Sequence, residues 1–218
     1  MPNNIRGRFL WHELMTSNPK AASAFYKKVV GWKTEGWPAD PSYNMFVAPS
    51  GPVAGYMLLP EEAKAMGAPP NWLTYIGVPD VDETASHAEE LGGEILKQPE
   101  DIPDVGRFAV LRDPQEAVFA IFRPSMEGEP KDTPEMREFS WHELATTDPA
   151  GALEFYRTLF AWEKTEAMEI GPSSAPIRCS ASAASPWEAS TARCRTCRRR
   201  RTGFRTRWWP TRRRPPAR

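Results

Sequence analysis

The chain has 218 residues, enough for one or two domains with a true core. Its formal charge of zero sums two unlike parts: residues 173–218 hold thirteen Arg, no Lys and one acid, Glu188 (13 − 1 = +12), whereas residues 1–172 hold 15 Lys+Arg against 27 Asp+Glu (15 − 27 = −12). An acidic body with no cysteine before Cys179, and no apolar run near the ~20 residues of a membrane span, argues against a membrane protein, a disulfide scaffold and nucleic-acid binding by the body, and for a cytoplasmic location.

From Arg8 to Met15 the residues alternate as in a strand, with Leu10, His12 and Leu14 on one face and Trp11, Glu13 and Met15 on the other. Asn18-Pro19 then starts a helix, Ala21, Ala22, Phe25, Tyr26 and Val29 follow at helical spacing, and Gly31 stops it. Strands are expected over Trp32–Glu35, Tyr43–Val47 and Val53–Leu58, which completes a βαβββ unit over residues 8–60. Residues 72–124 repeat the order: strand Trp72–Val78, helix Asp82–Leu91, then strands Glu94–Lys97, Arg107–Leu111 and Val118–Phe122, with Asp113-Pro114 turning between the last two. The fold class is therefore α+β, with paired βαβββ modules forming one complete domain over residues 1–125 and a Pro- and charge-rich linker over 126–138.

At Phe139 the opening returns. Phe9-Leu10-Trp11-His12-Glu13-Leu14 recurs as Phe139-Ser140-Trp141-His142-Glu143-Leu144, Phe25-Tyr26 as Phe155-Tyr156, and Trp32 as Trp162, all at a spacing of 130. A period this long signals duplicated domains, because solenoid repeats run roughly 20–50 residues. Residues 139–171 thus read as the first strand and helix, with a further strand, of a truncated second domain. After residue 172 hydrophobic periodicity stops and Arg, Ser, Ala and Pro take over. Such a segment buries too little apolar area to offset its ordering entropy, so 173–218 is expected to be disordered or poorly packed, leaving Phe155, Phe160 and Trp162 short of cover.

The tail admits three readings: a basic nucleic-acid arm with Trp208-Trp209 for stacking, a Cys194–Cys197 metal or redox pair that lacks a second pair, or a shifted reading frame. The genetic code favours the last. Read one frame over, Ala175–Ser180 permits Thr-Tyr-Gln-Met-Phe beside Tyr43-Asn44-Met45-Phe46, Trp187–Thr191 permits Gly-Gly-Ile-Tyr beside Ala54-Gly55-Tyr56, and Arg199–Thr211 permits Pro-Pro-Asn-Trp followed by a strand-like run beside Pro69-Pro70-Asn71-Trp72 and the strand after it. The gene's nucleotide sequence decides it.

Paired βαβββ units, the strand-Asn/Asp-Pro-helix-Phe-Tyr-Gly/Ala-Trp opening and the Asp113-Pro114 turn before the last strand resemble the vicinal oxygen chelate superfamily of glyoxalases, bleomycin-resistance proteins and extradiol dioxygenases, over residues 8–171. The two-domain bacterial branch is the most similar. The resemblance implies a site on the inward face of the strands where chelating members hold one divalent metal through His, Gln or Glu. Those positions fall here on Trp11, Gly55, Leu73 and Ala120, none with a side chain that ligates, so the expectation is no metal and no other cofactor.

What the inward strands do carry is one acid among aromatics. Glu13 is the candidate catalytic residue, a general base or a group that recognises a cation or hydroxyl; Trp11, Glu13, Tyr43, Tyr56 and Tyr75 are the candidate ligand-binding residues. His12 and Glu13 point to opposite faces and cannot share a metal, which leaves His12 as a core histidine. The expected function is binding of a small organic molecule in an aromatic cup. The alternatives are a divalent-metal lyase or dioxygenase using His12, Glu13 or their second copies, and nucleic-acid binding by the tail; a homodimer is compatible with all of them.

Overall fold

The structure, a computed structural model, describes residues 5–126, 133–168 and 177–182, of which 166–168 and 177–182 as backbone. The first module runs β1 (Phe9–Thr16), α1 (Pro19–Val29), β2 (Lys33–Trp37), β3 (Asp40–Ala48) and β4 (Gly51–Leu58). The short α2 (Glu61–Ala65), absent from the sequence expectation, leads to β5 (Asn71–Gly77), α3 (Val81–Glu90), β6 (Glu94–Ile102), β7 (Gly106–Arg112) and β8 (Val118–Pro124). Then come α4 (Pro149–Phe160), β9 (Trp162–Met168) and β10 (Ile177–Ser182).

The first eight strands make one sheet in the order β2-β3-β4-β1-β5-β8-β7-β6. Each module contributes four strands in mirrored order. Within a module the first strand runs parallel to the last, β1 with β4 and β5 with β8, and the modules join through antiparallel β1 and β5. The register of this joint sets Trp11 opposite Tyr75, and Glu13 opposite Leu73 on one side and Gly55 on the other.

Helices α1 and α4 start at the residues that predict them. Asn18 Oδ1 accepts from the Ala21 N–H at 3.0 Å, and Pro19 takes the first turn. Asp148 caps α4 in the same way, accepting from Ala150 and Gly151. Asp113, 3 % exposed, binds the turn amides of Gln115 and Ala117 with Oδ1 and receives the Tyr156 hydroxyl on Oδ2 at 2.9 Å.

Three cores result. One face of the first module carries Leu14, Trp32, Phe46, Ala54 and Tyr56 beneath α1. The matching face of the second module carries Ile76, Leu111, Phe119 and Ile121 beneath both α3 and α4. On the opposite face of the sheet, Leu73, Tyr75 and Ala120 are buried against Trp11, Met15, Phe108, Val110 and Phe122.

The second repeat departs from expectation in three ways. Phe139–Thr146, a copy of β1, forms no strand: β1 draws its ladder from β4 and β5, and this segment has no such neighbours among the described residues. Phe155 and Phe160 do not lose cover but sit 5 % and 1 % exposed, because α4 lays its apolar stripe on the second module, while Trp162 is half-buried against that core. Within the tail, residues 177–182 pair with β9 as strand β10; the rest of 173–218 lies outside the described residues. The two halves of the repeat meet through the first domain's own copies of the same residues: Phe139 packs into the core under α1, and Trp162 Nε1 donates to the Gly7 carbonyl at 2.9 Å.

Candidate functional site

Four of the five sequence candidates converge on the inward face. Tyr75 Oη donates to Glu13 Oε2 at 3.1 Å across the β1–β5 joint. The Tyr43 hydroxyl turns to the same carboxylate and accepts from Trp11 Nε1 at 2.9 Å. Tyr43 reaches there because Gly55 has no side chain: a Cβ on Gly55 would overlap the Tyr43 hydroxyl and ring. Glu13 is 8 % exposed and Tyr75 7 %, while Trp11, Met15, Tyr43, Phe108 and Phe122 are half-buried around them.

Tyr56 does not join this group. β4 sets Leu14 beside Tyr56 and Glu13 beside Gly55, so Tyr56 turns to the α1 side and stacks on Phe46, ring centroids 4.3 Å apart. There it edges an open trough of about 970 Å³ along α1 with Asn18, Asn44, Lys20 and Lys27. The lysines of that trough are exposed, and Tyr56 is the one buried side chain with a polar group among its described lining residues, whereas the inward face gathers Glu13, Tyr43 and Tyr75, so the inward face is the better candidate site. Phe108 and Phe122 are additions to the sequence candidates, although the alternation Arg107-Phe108-Ala109-Val110-Leu111 already puts Phe108 and Val110 on one face.

His12 lies on the other face from Glu13, and its Nε2 meets His142 Nε2 at 2.6 Å. Burial, then the neighbouring His142, lower its pKa to about 3, and burial lowers that of His142 to about 4, so the pair is neutral at neutral pH. On the inward face burial raises the Glu13 carboxyl above its ordinary value, against the pull of the Tyr43 and Tyr75 hydrogen bonds. Burial and the Glu13 charge raise both phenols as well, so they remain neutral donors.

The sequence profile of the Glyoxalase/Bleomycin resistance protein/Dioxygenase superfamily matches residues 8–121. The chain belongs to that superfamily. A Mycobacterium tuberculosis protein named "Putative glyoxylase CFP32" is 40 % identical over 124 residues, 56 % of this chain and 46 % of that protein. The anthracycline biosynthesis protein DnrV of Streptomyces peucetius is 28 % identical over 159 residues, 67 % of this chain and 58 % of its own length. The chain thus spans about half the length of the curated relatives it matches. Among solved structures, the Mn(II)-bound glyoxalase of Novosphingobium aromaticivorans is similar at 13 % identity and TM-score 0.46, over 74 % of this chain and 54 % of that one.

Whether this superfamily member's residues suit a divalent cation depends on its donor set. At the four positions that the resemblance assigns to metal ligands stand an indole, a glycine, a leucine and an alanine. The Trp11 N–H is a donor already spent on Tyr43, and the Tyr43 hydroxyl fills the space that a ligand on Gly55 would need. One carboxylate and two neutral phenols remain, short of the three or four anionic or imidazole donors such an ion takes. The residues do not fit the metal.

Proposed function

We propose that this chain binds a small organic molecule in the inward cup, with Glu13 as the polar contact and Trp11, Tyr43, Tyr75, Phe108 and Phe122 as its walls, and that it does so without a catalytic metal. The observation that carries the reading is the Tyr43 hydroxyl standing where Gly55 leaves room, between Trp11 and Glu13. The inward corner is rebuilt as a hydrogen-bonded aromatic site. A single buried acid in an apolar, aromatic surround is the usual composition of a small-ligand pocket. A carboxyl with a raised pKa is also the form a general base takes, so proton abstraction from a bound ligand is the chemistry open to Glu13.

The test is a thermal-shift screen of aromatic metabolites and antibiotics on wild type, Trp11→Ala and Tyr75→Ala. Hits whose stabilisation disappears in both variants support the cup. Hits unaffected by either variant, with loss in Tyr56→Ala instead, would move the site to the trough along α1.

A further inference from the structure

The buried Glu13 carboxylate has no ion-pair partner among the described residues, and its neighbours are phenols and hydrocarbon. An isolated buried anion is unfavourable unless something of opposite charge, or a proton, meets it. The hydrogen bonds around it also have a direction. Tyr75 and Tyr43 give their hydroxyl protons toward Glu13, and Trp11 gives its N–H to Tyr43. With these protons committed, the lone pairs of the carboxylate and phenol oxygens are what remains for a ligand. With Glu13 ionised, the floor of the cup is an acceptor with negative charge.

The walls match that floor. Ring faces attract cations, and more strongly when desolvated. Phe108 already holds one: Lys97 Nζ lies 5.5 Å from its ring centroid, with Glu100 at 2.7 Å as the ammonium's ion-pair partner. Tyr75, set between Phe108 and Phe122 at centroid distances of 6.1 and 6.2 Å, continues the aromatic surface down to Glu13.

Building on the cup reading, we propose that the ligand is an organic ammonium ion, an amine carried on an apolar or aromatic body, with its charge seated on Glu13 and the rings of Trp11, Tyr43 and Tyr75. Lys97 is engaged with Glu100, so the ammonium supplies a positive charge that no described residue pairs with Glu13, and its N–H groups meet the acceptors the network leaves over.

Benzylamine and benzyl alcohol are near-isosteric probes that differ in charge. Their affinities for the full chain are compared by calorimetry at pH 7.5, then at falling pH, and again in Glu13→Gln. The expected result is benzylamine binding about tenfold or more tighter than benzyl alcohol, a preference that shrinks as acid protonates Glu13 and collapses toward unity in Glu13→Gln. The wild-type pH series stands by itself should that variant fold poorly. Equal affinities in wild type, or a preference that survives both acid and Glu13→Gln, overturn the ammonium inference while leaving the cup reading intact. Binding of neither probe overturns both.

Discussion

His12 and His142, 130 positions apart, meet Nε2 to Nε2 at 2.6 Å, and each is sandwiched by the other repeat's phenylalanine: His12 stacks on Phe139 and His142 on Phe9, both at 3.7 Å. The exchange extends outward. Trp32 Nε1 donates to the Arg137 carbonyl at 2.7 Å, and Trp162 Nε1 to the Gly7 carbonyl at 2.9 Å. Gly7 and Arg137 are themselves 130 apart and share φ values of 74° and 75°. The duplicated sequence has therefore folded into a pseudo-twofold contact, which binds the second repeat to the first domain even though its copy of β1 is not a strand.

A contact of this kind has a pH limit. Both histidines have folded-state pKa values below the ordinary 6.5, about 3 and about 4. Between those values and 6.5 the unfolded chain binds more protons than the folded one, so the contribution is complete above 6.5 and is lost as pH falls toward 4 and 3. Urea titrations across pH 7 to 4 are expected to show falling stability in wild type and a shallower fall in His12→Phe/His142→Phe. Equal slopes would remove the pair as the cause.

Docking of the second repeat also uses the tryptophan–carbonyl bonds. Trp162→Phe removes one and is expected to lower stability by about 1 kcal/mol. Gly7→Ala acts more strongly: its φ of 74° costs a side chain about 1–2 kcal/mol, and the added Cβ would overlap the Trp162 ring. The check is limited proteolysis, which in Gly7→Ala is expected to cut the 126–138 segment faster than in wild type.

In the cup, Tyr43 and Gly55 are complementary. Gly55→Ala places a methyl group on the Tyr43 hydroxyl and is expected to destabilise by about 1–3 kcal/mol. Adding Tyr43→Ala makes room for that methyl, so the double variant should lose less than the sum of the two single losses in denaturant midpoints. Additive losses would mean that the two residues do not share this space.

Glu13 gives a signature of opposite sign to the histidines. Its raised pKa means the folded chain keeps this proton longer than the unfolded one, so the protonated form favours folding at low pH and that advantage fades as pH rises from 4.5 through the folded value. Glu13→Gln keeps the shape without the charge. Thermal melts should therefore show it gaining on wild type as pH rises from 4 to 8, and a constant difference would mean the carboxyl is not perturbed.

Much of this is legible in the sequence, and the misses have physical causes. The paired modules emerge from periodicity, and Glu13 beside Trp11 and Tyr75 from strand alternation. Tyr56 is expected on the wrong face because a one-residue shift reverses every side chain in a strand; Val53-Ala54-Gly55-Tyr56-Met57 lacks an apolar–polar alternation to fix the parity, and the β3–β4 pairing slips between Phe46 and Val47. The placement of α4 escapes the sequence for a different reason. A stripe of Ala152, Phe155, Tyr156 and Leu159 says that one face must be covered but not by what, and here α3 and the second module's strands cover it.

An inward corner that carries a hydrogen-bonded aromatic site in place of metal ligands leaves a divalent ion nothing to hold it. Metal-stripped protein titrated with Mn²⁺, Ni²⁺ and Zn²⁺ in a calorimeter, as wild type and as Glu13→Ala, is expected to show no stoichiometric site that depends on Glu13. One equivalent bound by wild type and lost in Glu13→Ala would contradict that reading.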